Sequence, residues 1–205
     1  MLNTHWHGDH VGGNAALRAR YGCRIVAPRL EAAKIGDVDI AVGGGDIVRI
    51  GAAAARVIDA PGHTLGHIIY HFAEDDAAFV GDVIFAMGCG RLFEGTAAQM
   101  WRSLGAIAAM PPATRLYCAH EYTQSNARFA ESIFKDAAMT MRVKAVDAAR
   151  ARGEPTVPTT VAEELSSNPF LRAQRAETAA LIGMEGRGEA DVFAELRRRK
   201  DNFRS

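Results

Sequence analysis

Between residues 23 and 118, apolar side chains come in short runs rich in Val, Ile, Phe and Tyr, separated by Gly, Pro and acidic residues. That pattern predicts short strands, at 23–27, 46–50, 55–58, 66–72, 77–80 and 115–118. Helical signals lie between them. Gly13-Asn14 opens a helix over 13–20 that Gly22 stops, and 96–110 is amphipathic, with Thr96 and Gln99 forming a capping box and Pro111-Pro112 ending it. After Glu121 the pattern changes to helix throughout. The Ala-rich stretch 122–152 carries Phe129, Ile133 and Met141 as apolar contacts and is closed by Gly153-Glu154-Pro155. Thr160-Val161-Ala162-Glu163 is a second capping box, and further helices are expected at 173–182 and 189–199. Strands and helices followed by helices alone predict an α/β part over 1–121 and a helical part over 122–205. No flexible linker separates them, so they should pack together.

Composition narrows the function classes. The chain has 205 residues, 24 basic and 24 acidic side chains and 48% hydrophobic residues. A zero net charge without basic-aromatic stripes argues against nucleic acid as a partner. No apolar run is long enough to cross a bilayer. No leader peptide fits before Thr4, and Cys23, Cys89 and Cys118 are an odd, scattered set unlike a disulfide framework, so a cytoplasmic enzyme is expected. Gly43-Gly44-Gly45 lacks the Lys and Ser/Thr of a phosphate-binding loop and reads as a turn.

Candidate chemistry concentrates in Thr4-His5-Trp6-His7-Gly8-Asp9-His10. Imidazole and carboxylate are the ligands that borderline divalent ions favour. His5 and His7, two apart, point the same way in an extended segment, and Gly8 is expected to bend the chain so that Asp9 and His10 turn elsewhere. One loop could then serve two ions. Further polar groups stand where strands give way to loops: His63 and His67 in Pro61-Gly62-His63-Thr64-Leu65-Gly66-His67, Asp82 in the apolar run from Phe79 to Phe85, and His120 after Leu116-Tyr117-Cys118-Ala119. A carboxylate amid apolar residues needs a charge partner or a metal. His71 reads as a sheet residue. Cys118, two residues before His120, raises the weaker idea of a cysteine nucleophile.

These motifs, T-H-W-H-G-D-H, P-G-H-T-L-G-H, G-D-V-I-F, G-C-G-R-L-F-E-G-T and A-H-E-Y-T, resemble in their order the glyoxalase II (hydroxyacylglutathione hydrolase) family of the metallo-β-lactamase superfamily. Asn168-Pro169-Phe170 and Arg197-Arg198-Arg199-Lys200-Asp201 resemble that family's helical C-terminal region. The resemblance implies a metallo-β-lactamase-like αββα sandwich with a C-terminal helical, substrate-binding domain. It puts His5, His7 and His63 on one metal and Asp9, His10 and His120 on the other, with Asp82 bridging. His67 has no ligand role in the pattern and is expected behind the ligands or at a strand start. The implied cofactor is a pair of divalent ions, Zn2+ first, with Fe or Mn also suited to these ligands. The implied reaction is cleavage of S-lactoylglutathione and related thioesters by a metal-bridging hydroxide, part of methylglyoxal detoxification, with Asp9 and Asp82 in catalytic roles.

For the substrate, the resemblance implies Arg91, Phe93, Tyr122, Arg197 and Lys200. Some relatives have tyrosine where this chain has Phe93, so a hydroxyl contact is absent. Arg197 and Lys200, three apart on a helix, suit a dianionic peptide; read alone, they could equally be a solvated basic helix end complementing the dipole. The family's paired strands before the H-x-H-x-D-H loop are not in this chain. The sandwich is therefore expected to be incomplete at its N-terminus, with an exposed sheet edge through which a normally monomeric protein could associate. Three alternatives follow: another hydrolase of the fold, a one-iron persulfide dioxygenase, against which the intact Asp9 and His10 speak, and an inactive metal- or glutathione-binding fragment.

Overall fold

The protein is described from a computed structural model covering residues 1–204. In chain order its elements are α1 (Gly8–Val11), α2 (Asn14–Tyr21), β1 (Val26–Pro28), α3 (Ala32–Ile35), β2 (Ile40–Val42), β3 (Ile47–Ile50), β4 (Ala53–Asp59), β5 (Ile68–Phe72), β6 (Ala77–Gly81), β7 (Ile84–Phe85) and β8 (Gly88–Cys89). They continue with α4 (Ala97–Ala108), β9 (Arg115–Cys118), α5 (Thr123–Ile133), α6 (Ala137–Ala151), β10 (Thr159–Thr160), α7 (Val161–Ser167), α8 (Ala176–Ile182) and α9 (Glu189–Asp201).

The main sheet has six strands in the order β10-β9-β6-β5-β4-β3. All pairs are antiparallel except β6 with β9, whose parallel connection runs through α4. A second, parallel pair, β1 with β2, is extended by a bridge from Leu2 to Val26. Strand alternation sorts the core. Ile69, Ala78, Val80 and Leu116 pack against Met100, Leu104 and Ile107 of α4 and against Phe129, Phe170, Phe193 and Leu196 of the helical part. Val57, Ile68 and Tyr70 point the other way, onto Val26 and Val42 of the small sheet. Tyr70 also donates its hydroxyl to the Asn3 carbonyl at 2.9 Å, which holds the start of the chain against the main sheet. The result is the layered α/β architecture expected, and the helical part shares one apolar cluster with the main sheet.

Several elements differ from expectation. The helix expected over 122–152 is broken. Phe134 is extended, and Asp136 starts a new helix by accepting the Met139 amide at 3.0 Å. Alanine-rich periodicity concealed that cap because Asp is tolerated but not favoured inside helices. The bend after His7 is a helical turn: the His7 carbonyl accepts from His10 and Val11 in α1. Gly8 has room for a Cβ, so its conformational freedom is not what turns the chain. The segment 173–182 opens in a 3-10 turn at Leu171–Gln174 before α8. Strands β2, β7, β8 and β10 carry too few residues to show a period. The two capping boxes, at Thr96/Gln99 and Thr160/Glu163, are present as read.

Candidate metal centre

All the histidines and aspartates of the sequence motifs reach one end of the sandwich. His5 lies in a bend and His7 in extended backbone just before α1, and Asp9 and His10 in α1 itself. His63 and His67 stand in the loop from β4 to β5, Asp82 between β6 and β7, and His120 just after β9. Asn3 holds the first loop by donating to the His10 carbonyl (3.1 Å) and exchanging amide hydrogen bonds with Asn14.

His5 Nε2 lies 3.1 Å from His7 Nδ1, which lies 3.0 Å from His63 Nε2. On the other side His120 Nε2 is 3.2 Å from Asp9 Oδ2, and His10 Nε2 is 3.6 Å from the same oxygen. Asp82 stands between these groups, with Oδ1 3.2 Å from His10 Nε2 and Oδ2 3.5 Å from His63 and 3.6 Å from His120. Ligand atoms of His5, His7 and His63, and those of Asp9, His10 and His120, each gather within 4.8 Å, as do those of His5, His10 and Asp82. His5 thus stands with His7 and His63, as the resemblance implies, and also within reach of His10 and Asp82.

The donor set fits divalent cations. His10 Nε2 and Asp82 Oδ1 are buried with no partner but each other, at 3.2 Å, which leaves their remaining capacity costly unless something else satisfies it. Burial, reinforced by His67 and the neighbouring imidazoles, holds His5 far below the ordinary histidine pKa, and burial likewise lowers His63. A neutral ring keeps one nitrogen lone pair free, and metal ligation requires that state. Burial alone would lower His10 and raise Asp82, but the hydrogen bond and charge between them prevail, so His10 is raised and Asp82 lowered. The His63 ring is oriented from behind by the Arg91 carbonyl at 2.9 Å.

His67 sits just ahead of β5, fully buried, and accepts the Asp82 backbone N–H on Nε2 at 3.1 Å. Burial first, then nearby His63, pushes its pKa down to about 3, so it remains an acceptor at neutral pH. Gly81 lets the ring approach: a Cβ there would come within 2.6 Å of that nitrogen, on a backbone with φ of 51°. Cys118 does not suit a nucleophile, since burial pushes its thiol up to about 11. All three cysteines are free.

A cleft of about 460 Å³ opens beside Asp82 and His63 and is lined by Arg91, Phe93, Tyr122, Arg197 and Lys200. The Phe93 ring stands 5.2 Å from His63 and 5.6 Å from His7, and Tyr122 stacks on His120 at 4.9 Å. Lys200 donates to the Ser125 carbonyl and hydroxyl at 2.9 and 3.0 Å. Arg197 is not a solvated helix end. Only 4% exposed, it donates Nε and Nη2 to Asp201 and Nη1 to the Cys89 carbonyl, leaving few donors for a ligand.

Sequence reading passed over Ser125, Asn126 and Phe203 in the cleft wall. It also passed over Glu164, a fully buried carboxylate that accepts from Met87 N, Thr159 Oγ1 and Asn168 Nδ2 at 2.7–2.8 Å. With Asn168 donating to the Phe85 and Gly88 carbonyls and Asn126 to Ala86, it fixes the β7–β8 hairpin that leads from Asp82 to Arg91. No local signal marks such long-range polar contacts; the capping box beside it points to Glu163.

Comparison with known proteins agrees with this geometry. A metallo-beta-lactamase superfamily model matches residues 1–120, and a model described as hydroxyacylglutathione hydrolase C-terminus matches 121–203. The chain is 52% identical over 205 residues to the hydroxyacylglutathione hydrolase of Methylococcus capsulatus, covering all of this chain and 80% of that protein. It is 52% identical over 204 residues to that of Maricaulis maris, covering 99% and 80%. Among solved structures, ETHE1 from Myxococcus xanthus superposes with a TM-score of 0.65 at 25% identity, covering 96% of this chain and 67% of that one. The chain belongs to the glyoxalase II (hydroxyacylglutathione hydrolase) family of the metallo-β-lactamase superfamily.

Proposed function

We propose that this chain hydrolyses S-(2-hydroxyacyl)glutathione thioesters, S-lactoylglutathione among them, to glutathione and a 2-hydroxy acid, as in methylglyoxal detoxification. The observation that carries the reading is the gathering of five imidazoles and two carboxylates beside a cleft with cationic walls, in a chain about half identical to named hydroxyacylglutathione hydrolases. His5, His7 and His63 would hold one divalent ion, and Asp9, His10 and His120 the other, with Asp82 between them. When bound, such a pair supplies Lewis acidity and makes water nucleophilic near neutral pH. Zn2+ is the first candidate; Fe and Mn suit the same donors.

The chain's own residues supply the rest. Asp9, more than half exposed and 3.2 Å from His120, is placed to orient the attacking water. A thiol with a pKa of about 8.5 departs without a strong general acid, and none is assigned. Phe93 and Tyr122, both more than half exposed, offer apolar faces to the thiol-bearing part of the substrate. Arg91 and Lys200 offer charge to its carboxylates, and Arg197 acts mainly by holding the Cys89 carbonyl and Asp201 in place. The reading assigns residues 1–121 to metal binding and 122–205 to substrate binding, supported by the family models that meet near residue 120. No helix among the described residues is long and apolar enough to cross a membrane. A cytoplasmic monomer is the form the family resemblance implies.

Two experiments test this. Metal-supplemented protein should contain two ions per chain by elemental mass spectrometry and cleave S-lactoylglutathione. Chelation should abolish turnover and Zn2+ should restore it. A folded, two-metal sample without turnover rejects the assignment, and one iron per chain with persulfide oxidation favours the dioxygenase alternative.

Lys200 predicts a pH dependence. Burial, then the charges of Arg197 and Arg91, bring its pKa down to about 8. The cation that pairs with a carboxylate is therefore complete well below pH 8 and lost as pH rises through it. KM should rise above about pH 8 while Lys200→Met shows a high KM without that rise. An identical rise in the variant would assign it to another group.

A further inference from the structure

Trp6, between His5 and His7, plays no part in the chemistry above, yet both its N–H groups are committed. Its backbone N–H donates to Glu31 Oε2 at 2.8 Å and its indole Nε1 to Glu94 Oε1 at 3.0 Å. The other oxygen of each carboxylate serves the next histidine loop. Glu31 Oε1 accepts from Gly66 N at 2.9 Å, and Glu94 Oε2 accepts from Leu65 N at 2.9 Å. Leu65 and Gly66 lie between His63 and His67. Two carboxylates thus span the same pair of loops side by side.

Neither carboxylate belongs to those loops. Glu31 comes from the turn before α3 and Glu94 from the cleft loop, next to Phe93. Glu31 is only 2% exposed, and among the described residues no Lys or Arg pairs with it. A buried carboxylate without a cation is unfavourable unless hydrogen bonds replace its lost hydration, which the Trp6 and Gly66 amides do for Glu31. Space is reserved for it too: a Cβ on Gly66 would stand 2.5 Å from Glu31 Cγ. Lys34 closes the outer side, 2.9 Å from Glu94 Oε1 and 4.5 Å above the Trp6 ring.

We infer that Trp6, Glu31 and Glu94 form a double carboxylate staple that sets the spacing between the His5–His7 pair and His63, and so are positioning residues for the metal site. The inference rests on the metal reading above. Loss of the hydrogen-bond partner of a metal ligand typically weakens metal binding by about 10- to 100-fold; the staple acts one step further back, on the loops that carry His5, His7 and His63, so the lower end of that range is expected.

Trp6→Phe keeps an aromatic ring near Lys34 and removes the indole N–H with the five-membered ring that carries it; Glu31→Gln replaces one acceptor with a donor facing an amide. Each variant and the wild-type chain would be loaded with cobalt(II), recording the visible band, and then titrated with a chelator. Metal-free and loaded samples would also be melted. The expected result is metal release at about 10-fold or lower chelator concentration, an altered cobalt band, and metal-free melts close to that of the wild-type chain. Should Glu31→Gln fail to fold, Trp6→Phe and Glu94→Gln carry the same test. Variants with wild-type chelator titrations and spectra overturn the inference. So does a metal-free melt that falls as far as the loaded one, which would make the contacts merely structural. Wild-type protein that takes up no ion rejects the proposed function and the staple together, whereas a wild-type chain that binds metal beside variants that bind it equally well rejects the staple alone.

Discussion

Replacing Asp82 with asparagine is expected to lower kcat/KM for S-lactoylglutathione by about a thousandfold, about 4 kcal/mol of transition-state stabilisation at 1.36 kcal/mol per factor of ten. Asp82 is the buried carboxylate of the site, and its two oxygens reach toward His10 on one side and His63 and His120 on the other. The amide keeps the shape, removes the charge and turns a donor toward one set of imidazoles. Two ions facing a neutral group then repel each other with less compensation, so the second should be held poorly. The Asp82 bond to His67 is made by the backbone and survives, so the variant should fold. Steady-state hydrolysis together with metal content checks this. A variant with two ions and more than a tenth of wild-type activity would show that Asp82 does not link the two halves of the site.

Glu164→Ala should be the most destabilising single change outside the metal site, by about 3–5 kcal/mol. It strands the Met87 amide and takes the nearest acceptor from the Thr159 hydroxyl and one from the Asn168 amide, all in a region closed to water. Burial raises the Glu164 pKa despite these donors and nearby Arg142, so the carboxylate is held at a desolvation penalty that only a full set of partners offsets. For a chain of this size, each kcal/mol moves Tm by about 2–4 °C. Urea unfolding of metal-loaded protein measures the change, and a loss below 1 kcal/mol would contradict the account. Because the same network fixes Met87 and the β7–β8 hairpin, the variant's KM should rise as well.

The seven groups at the candidate metal centre were legible because four share one crowded H-x-H-x-D-H loop and His63, Asp82 and His120 each follow a recognisable strand, whose ends converge on one side. The cleft residues were legible only through the family resemblance; Lys200 and Tyr122 carry no local mark that separates them from ordinary helix-surface residues. No role was legible for Glu31, Glu94, Glu164 or Asp201, although Glu94 and Asp201 stand inside the quoted motifs. Their partners lie far along the chain, apart from Asp201's link to Arg197, and an acidic residue in a helix or turn reads as solvated until the fold supplies its donors. Strands of two or three residues escaped for a simpler reason. Period-two alternation needs about four positions to be visible.

The distribution of the metal-centre groups from His5 to His120 has a consequence for the protein's lifetime in a cell. An ion held there joins segments separated by most of the α/β part and stabilises only the assembled form, by about 2.7 kcal/mol when its free concentration is a hundred times its Kd. A shortage of metal would then show itself as faster proteolytic turnover, not only as idle enzyme. Supply of the ion would govern abundance as well as catalysis, and pulse proteolysis with and without metal reads that link directly.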